Sequence, residues 1–193
     1  MIPILAEVAL PRAVRLPAGA VPPIPPPQAL VHAARAGAEV HDLAARRVRV
    51  LLSGTRGVER VEGDGIPLAA ALGIHGATGA NLLVGPRGAR RECFAPAGGL
   101  LETVQLPEAL PGILIQWTPA GAPPSRGGRL LLSACLLPLA ADTAEVRFHR
   151  APGLLWVARG DTGVLLTLPG VGAVPDLRLR NGEILVEWDL PPG

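Results

Sequence analysis

Between Asn81 and Trp188, short apolar runs with a period of two are cut by tight-turn residues. The clearest case is Asp176-Leu177-Arg178-Leu179-Arg180-Asn181-Gly182-Glu183-Ile184-Leu185-Val186-Glu187-Trp188. Asn-Gly between alternating runs predicts a type I′ hairpin, whose two central residues both need positive φ. Closing the turn there sets Arg180 opposite Glu183, Leu179 opposite Ile184 and Leu177 opposite Val186. Leu177, Leu179, Ile184, Val186 and Trp188 then share one face, and both arginines point away from it. Ile113, Ile115 and Trp117 alternate with Leu114, Gln116 and Thr118. Val146 and Phe148 alternate with Glu145, Arg147 and His149. Both patterns predict half-buried strands, whereas residues 130–137 and 164–168, with apolar residues on both faces, predict fully buried strands. About ten strands at this spacing predict an antiparallel β-sandwich over residues 73–193.

Residues 1–72 read differently, as an N-terminal strap and helical segment. A short strand over 4–10 precedes Val21-Pro22-Pro23-Ile24-Pro25-Pro26-Pro27, a Pro-rich strap or linker of extended polyproline geometry. A helix is predicted over 28–47, where Leu30, Ala33, Ala34, Val40, Leu43 and Ala44 form an apolar stripe, and Gly37 weakens it by about 1 kcal/mol. Residues 48–53 then read as a strand, and 53–57 as a loop. Asp64 is placed to cap a short helix running through Leu72.

Composition narrows the function classes. The chain of 193 residues has no lysine and no tyrosine, 24 glycines, 22 prolines and a net charge of +2. Every basic side chain is therefore an arginine, which reads as codon bias toward G and C. A charge so small gives no electrostatic footprint for nucleic acid. No run reaches the roughly 18 apolar residues of a membrane span, and Pro3 and Glu7 interrupt any signal-peptide core. The reading is a cytoplasmic protein. Cys93 and Cys135 are too few for a disulfide framework or a cysteine metal site. Cys135, in an apolar run, is expected to be a buried thiol. Cys93 is expected to be a small packing residue, although Arg90 and Arg91 beside it would lower a thiol pKa.

The search for chemistry is mostly negative. No serine lies in a nucleophile elbow, and no Walker motif is possible without lysine. His32, His41, His75 and His149 lack metal-ligand spacing, so no metal or cofactor is expected. The turn Gly85-Pro86-Arg87-Gly88 reads as a hairpin rather than an anion nest. Glu102 is the one catalytic candidate. Parity puts it inward with Leu100, Val104 and Leu106, where a carboxyl group can serve as a general acid. The competing reading is a strand glutamate that snorkels out or pairs with Arg90 or Arg91, and a glycosidase would need a second carboxylate that cannot be assigned. Trp117 and Trp188 fall on core faces. Trp156, apolar on both sides, is also read as core.

The stretch Gly79-Ala80-Asn81-Leu82-Leu83-Val84-Gly85-Pro86-Arg87-Gly88-Ala89-Arg90-Arg91-Glu92, with Glu102-Thr103-Val104 and Pro111-Gly112-Ile113-Leu114-Ile115-Gln116-Trp117, resembles the N-terminal β-sandwich of bacterial glycogen-debranching (amylo-α-1,6-glucosidase-like) enzymes. The closing Glu187-Trp188-Asp189-Leu190-Pro191-Pro192-Gly193 is similar to the exit from such a sandwich, so the likeness covers about residues 73–193. It implies a non-catalytic domain packed on an (α/α)6 barrel that hydrolyses α-glucosidic bonds. The family's aromatic sugar contacts and its barrel have no counterpart in this sequence, so no catalytic residue is carried over. The expectation is an accessory domain of a glycoside hydrolase without activity of its own, with a catalytic barrel and α-glucan as partners. The alternative is a stand-alone scaffold or protein-interaction domain that self-associates.

Overall fold

The computed structural model describes residues 5–7, 32–34, 40–45, 47–96, 98–108, 112–120, 130–137, 146–180 and 183–190. Within them the chain is built from strands. In order these are β1 (Leu5–Glu7), β2 (His32–Ala34), β3 (Val40–Ala45), β4 (Val48–Ser53), β5 (Gly57–Gly63) and β6 (Ile66–Ile74). Next come β7 (Thr78–Gly85), β8 (Gly88–Ala95), β9 (Gly98–Gln105), β10 (Leu114–Pro119) and β11 (Leu130–Leu136). The last are β12 (Val146–Ala151), β13 (Leu154–Arg159), β14 (Thr162–Thr167), β15 (Asp176–Arg180) and β16 (Glu183–Leu190). They form a seven-stranded sheet of order β15-β16-β11-β6-β5-β4-β3, a five-stranded sheet β10-β9-β8-β7-β2 and a four-stranded sheet β1-β12-β13-β14. Pairing is antiparallel apart from β1 with β12. The boundary expected at 72/73 falls inside β6, and the seven-stranded sheet takes strands from both sides of it.

The last hairpin has the register read from Asn181-Gly182. Arg180 pairs with Glu183, Leu179 with Ile184 and Leu177 with Val186, while the turn itself lies outside the described residues. Ile184, Val186 and Trp188 are sealed in the core, and Leu177 packs against it. The main core cluster is fed by all three sheets, and a smaller one gathers Ile74, Cys93 and Leu100. Val50, Leu52, Leu136 and Trp188 come from the seven-stranded sheet, Leu82 and Val104 from the five-stranded, and Val146, Leu155 and Val157 from the four-stranded.

Several expectations are overturned. The helix over 28–47 is not formed in the described part of that span, where β2 and β3 are strands. Half of its stripe is alanine, which buries little surface to hold a helix. Val40–Ala45 instead pairs along its whole length with Val48–Ser53 and buries Leu43. The short helix after Asp64 is also absent. Asp64 and Gly65 both have positive φ, 50° and 79°, and Gly63 pairs with Ile66 across them. Asp-Gly therefore makes a type I′ turn, a use that outweighs its capping chemistry. Arg47 donates to both carboxylate oxygens of Asp64, holding that carboxyl below the usual aspartate range.

β11 and β14 are half-buried rather than buried on both faces. In β11, Leu132, Ala134 and Leu136 are buried and the residues between them are not, which leaves Cys135 half-buried. In β14, Val164 and Leu166 pack inward while Leu165 is exposed. The strap over 21–27 lies outside the described residues. Among the described residues no helix is long and apolar enough to cross a membrane.

Trp188 anchors this core and donates its indole N–H to Ala173 O at 2.9 Å, tying the β14–β15 connection over it. Trp188→Ala is expected to lower unfolding stability by about 3–5 kcal/mol, read as a shifted urea midpoint with little change in slope.

Candidate functional site

Strand register places Arg91, Glu102 and Trp117 directly opposite one another on β8, β9 and β10. Three neighbouring side chains on one face of a sheet must touch. Arg91 Nε donates to Glu102 Oε1 at 2.7 Å, Arg91 Nη2 to Glu102 Oε2 at 3.2 Å, and Trp117 Nε1 to the same Oε2 at 2.8 Å. Arg91 is 2% exposed and Glu102 1%, so the ion pair is sealed from solvent. The parity reading of Glu102 as inward-facing, with Leu100, Val104 and Leu106, matches its burial. Of the two arginines weighed as its partner, Arg91 is the one it meets; Arg90 is exposed on the other face.

Arg91 also reaches beyond its own sheet. Nη1 donates to Gly54 O at 3.4 Å and Thr55 O at 3.1 Å, and Nη2 to Arg56 O at 3.3 Å. These carbonyls belong to the β4–β5 turn of the seven-stranded sheet. A guanidinium has five N–H donors, and each of the five contacts here engages one of them. The turn is further fixed by Gly79 N donating to Thr55 O at 2.8 Å and Arg56 N donating to Ser53 Oγ at 3.1 Å.

Two glycines admit this approach. A Cβ on Gly57, whose φ is +81°, would stand 2.6 Å from Glu102 Oε1 and closer still to Arg91 Nη2. A Cβ on Gly79 would overlap Gly54 O and Arg91 Nη1. Opposite Arg91, β7 carries an extra residue. Its register shifts between Ala80 and Leu83, Asn81 has φ +53°, and Asn81 Nδ2 donates to Glu92 Oε2 at 2.9 Å. The sequence showed 53–57 as a loop and Gly79 only as the first residue of the stretch that carries the family resemblance. Their common purpose depends on contacts between distant segments, which no local pattern encodes.

The space beside the pair, lined by Leu52, Leu82, Ala89 and Val104, has no room for a water molecule. Cys93, two residues along β8, is buried, and burial pushes its thiol pKa up against the opposing pull of Arg91. The expected lowering by neighbouring arginine is thus outweighed. Cys135 is also raised by burial, though it is the more accessible thiol. His149, on β12, pairs with Trp156 on β13, while His32 and His41 sit on β2 and β3. Among the described residues no group of three histidine, cysteine or acidic side chains is gathered to hold a metal ion.

Trp156 differs from the core position expected for it. Leu155 and Val157 on either side are fully buried, so Trp156 faces the opposite side of the four-stranded sheet and packs against no buried cluster. His149 and Leu165 flank it in one transverse row. Comparison with protein-family models, curated proteins and solved structures finds no match to this chain.

Arg91→Ala or Glu102→Ala strands the partner's charge and is expected to cost about 3–5 kcal/mol. The double variant should cost clearly less than the sum, as a denaturation double-mutant cycle would show. Native thiol titration near neutral pH should modify Cys135 ahead of Cys93, with Cys93 reacting only after denaturant is added.

Proposed function

We propose that this chain is a β-sandwich accessory module of a carbohydrate-active enzyme, without catalysis of its own, that docks on a catalytic helical barrel acting on α-glucan. A sandwich accounts for a main core lined by strands of all three sheets. The non-catalytic reading is carried by the engagement of Glu102, whose two carboxylate oxygens accept three hydrogen bonds in a space closed to water. A general acid must reach the leaving oxygen of a substrate, and this carboxylate reaches only Arg91 and Trp117. The glucan class follows from the resemblance of residues 73–193 to the debranching-enzyme sandwich. The free thiols of Cys93 and Cys135 suit a reducing, cytoplasmic compartment.

The strand edges suggest where a barrel would dock. Edge strand β3 bears Asp42 bridged to Arg49, and edge strand β15 bears Arg178 bridged to both Asp176 and Glu187. Charged edges resist strand addition. Edge strand β14, Thr162–Thr167, carries neither charge nor proline and shows Leu165 to solvent. The same edge supports a second reading, self-association as a stand-alone scaffold, through antiparallel pairing of two β14 strands.

The purified chain is expected to release no reducing ends from branched α-glucan and to co-purify with a helical-barrel glycosidase encoded beside it. Hydrolysis that tracks the pure protein and disappears in a folded Glu102→Gln variant would overturn the reading. Sedimentation velocity separates the alternative: a concentration-dependent dimer abolished by Leu165→Lys identifies the scaffold.

A further inference from the structure

We infer that the outer face of the four-stranded sheet, centred on Trp156, is a saccharide-stacking platform; the choice of ligand rests on the carbohydrate reading above. The three tryptophans differ in what their N–H groups meet. Trp117 donates to Glu102 and Trp188 to Ala173 O. Among the described residues Trp156 Nε1 meets no acceptor, and it is not a buried orphan, so the donor is open to solvent. Among the described residues its ring packs against neither buried cluster. An indole held half-buried on a rigid strand, with an open edge, is a binding element in search of an amphipathic partner.

The surroundings indicate what that partner is. Beside the indole, on β14, stands Gly163, where a Cβ would come 3.5 Å from Trp156 Nε1. The glycine leaves the N–H edge approachable; any larger residue would cover it. Along the row, Leu165 offers apolar surface. Thr167, exposed on the same face of β14, adds a hydroxyl. A pyranose matches this pattern: its C–H face covers the indole and Leu165, and one hydroxyl accepts from Nε1 while another meets Thr167. No carboxylate occupies the Trp156 row or the positions beside it on β12 and β14, which disfavours a cationic ligand. The site is distinct from the Arg91–Glu102 pair, which lies in the five-stranded sheet.

The test is isothermal titration of the full chain with maltoheptaose, and with cellohexaose as a second probe. Binding of either by the unaltered chain is expected, with Trp156→Ala weakening it about tenfold or more. Trp156→Phe, which keeps a stacking ring and loses the donor, should fall between. Gly163→Val should weaken binding while leaving Trp156 in place. The added Cβ meets only ordinary contacts, and an unchanged thermal midpoint is the check that the variant keeps its fold. Full affinity in Trp156→Ala would overturn the platform and leave glucan recognition standing elsewhere. Failure of the unaltered chain to bind either sugar would overturn it too, leaving the accessory-module reading to its own test with the catalytic barrel. A self-association lost in Trp156→Ala, without sugar binding, would overturn it in favour of a protein contact.

Discussion

A guanidinium sealed among leucines and valines has to find acceptors for its N–H groups, or the structure around it is destabilised by several kcal/mol. Arg91 finds them in two sheets at once. Its bond to Glu102 joins β8 to β9, the indole of Trp117 extends the row to β10, and the three turn carbonyls bring in β4 and β5. The spacing between the sheets at this point is therefore set by hydrogen-bond lengths. Apolar packing accepts sliding of a few tenths of an ångström; a row of directed bonds does not. This explains why features that look unrelated along the chain coincide in space. The bulge in β7, the positive φ of Gly57 and the missing side chain of Gly79 all make room for one cation.

That constraint also limits what Glu102 can do. A carboxylate becomes a useful acid when burial leaves it without a counterion and the neutral form wins. Here the cation is supplied by the facing strand, in direct register. The feature that marked Glu102 in the sequence, an acid among apolar neighbours, is common to a catalytic acid and to a buried ion pair. The two differ in the partner, and the partner lies eleven residues away across a hairpin.

The hairpin at Asn181-Gly182 was legible because turn type and period together determine register, so that Arg180–Glu183 and Leu177–Val186 could be paired without a structure. The alternation in β12 was legible for the same reason. Residues 28–47 misled because alanine-rich segments satisfy a helical stripe without the bulk to enforce it, and pairing with a well-formed neighbour such as β4 decides the outcome. Asp64-Gly65 misled because one dipeptide serves both as a cap and as a type I′ turn. Runs of apolar residues in β11 and β14 were read as doubly buried, yet hydrophobicity on both faces does not say that both faces are covered. The latch around Arg91 could be glimpsed as a pairing with Glu102. The carbonyls of 54–56 were out of reach, since a backbone acceptor carries no sequence signal.

Parity, once fixed by structure, separates three chemically identical indoles. At Trp188 and Trp117 the ring faces the core, and a buried N–H without an acceptor would be costly, so each has found one. At Trp156 the ring faces outward, where water satisfies the N–H and no internal acceptor is required. A large aromatic surface left on that side contributes little to folding, while Leu155 and Val157 beside it already anchor the strand. Among the described residues the ring meets neither buried cluster, and that difference from Trp117 and Trp188 is what the stacking proposal is built on. The fold thus divides its polar and aromatic resources. The five-stranded sheet spends an arginine, a glutamate and a tryptophan on internal rigidity, and the four-stranded sheet turns a tryptophan and an uncharged edge to its outer side.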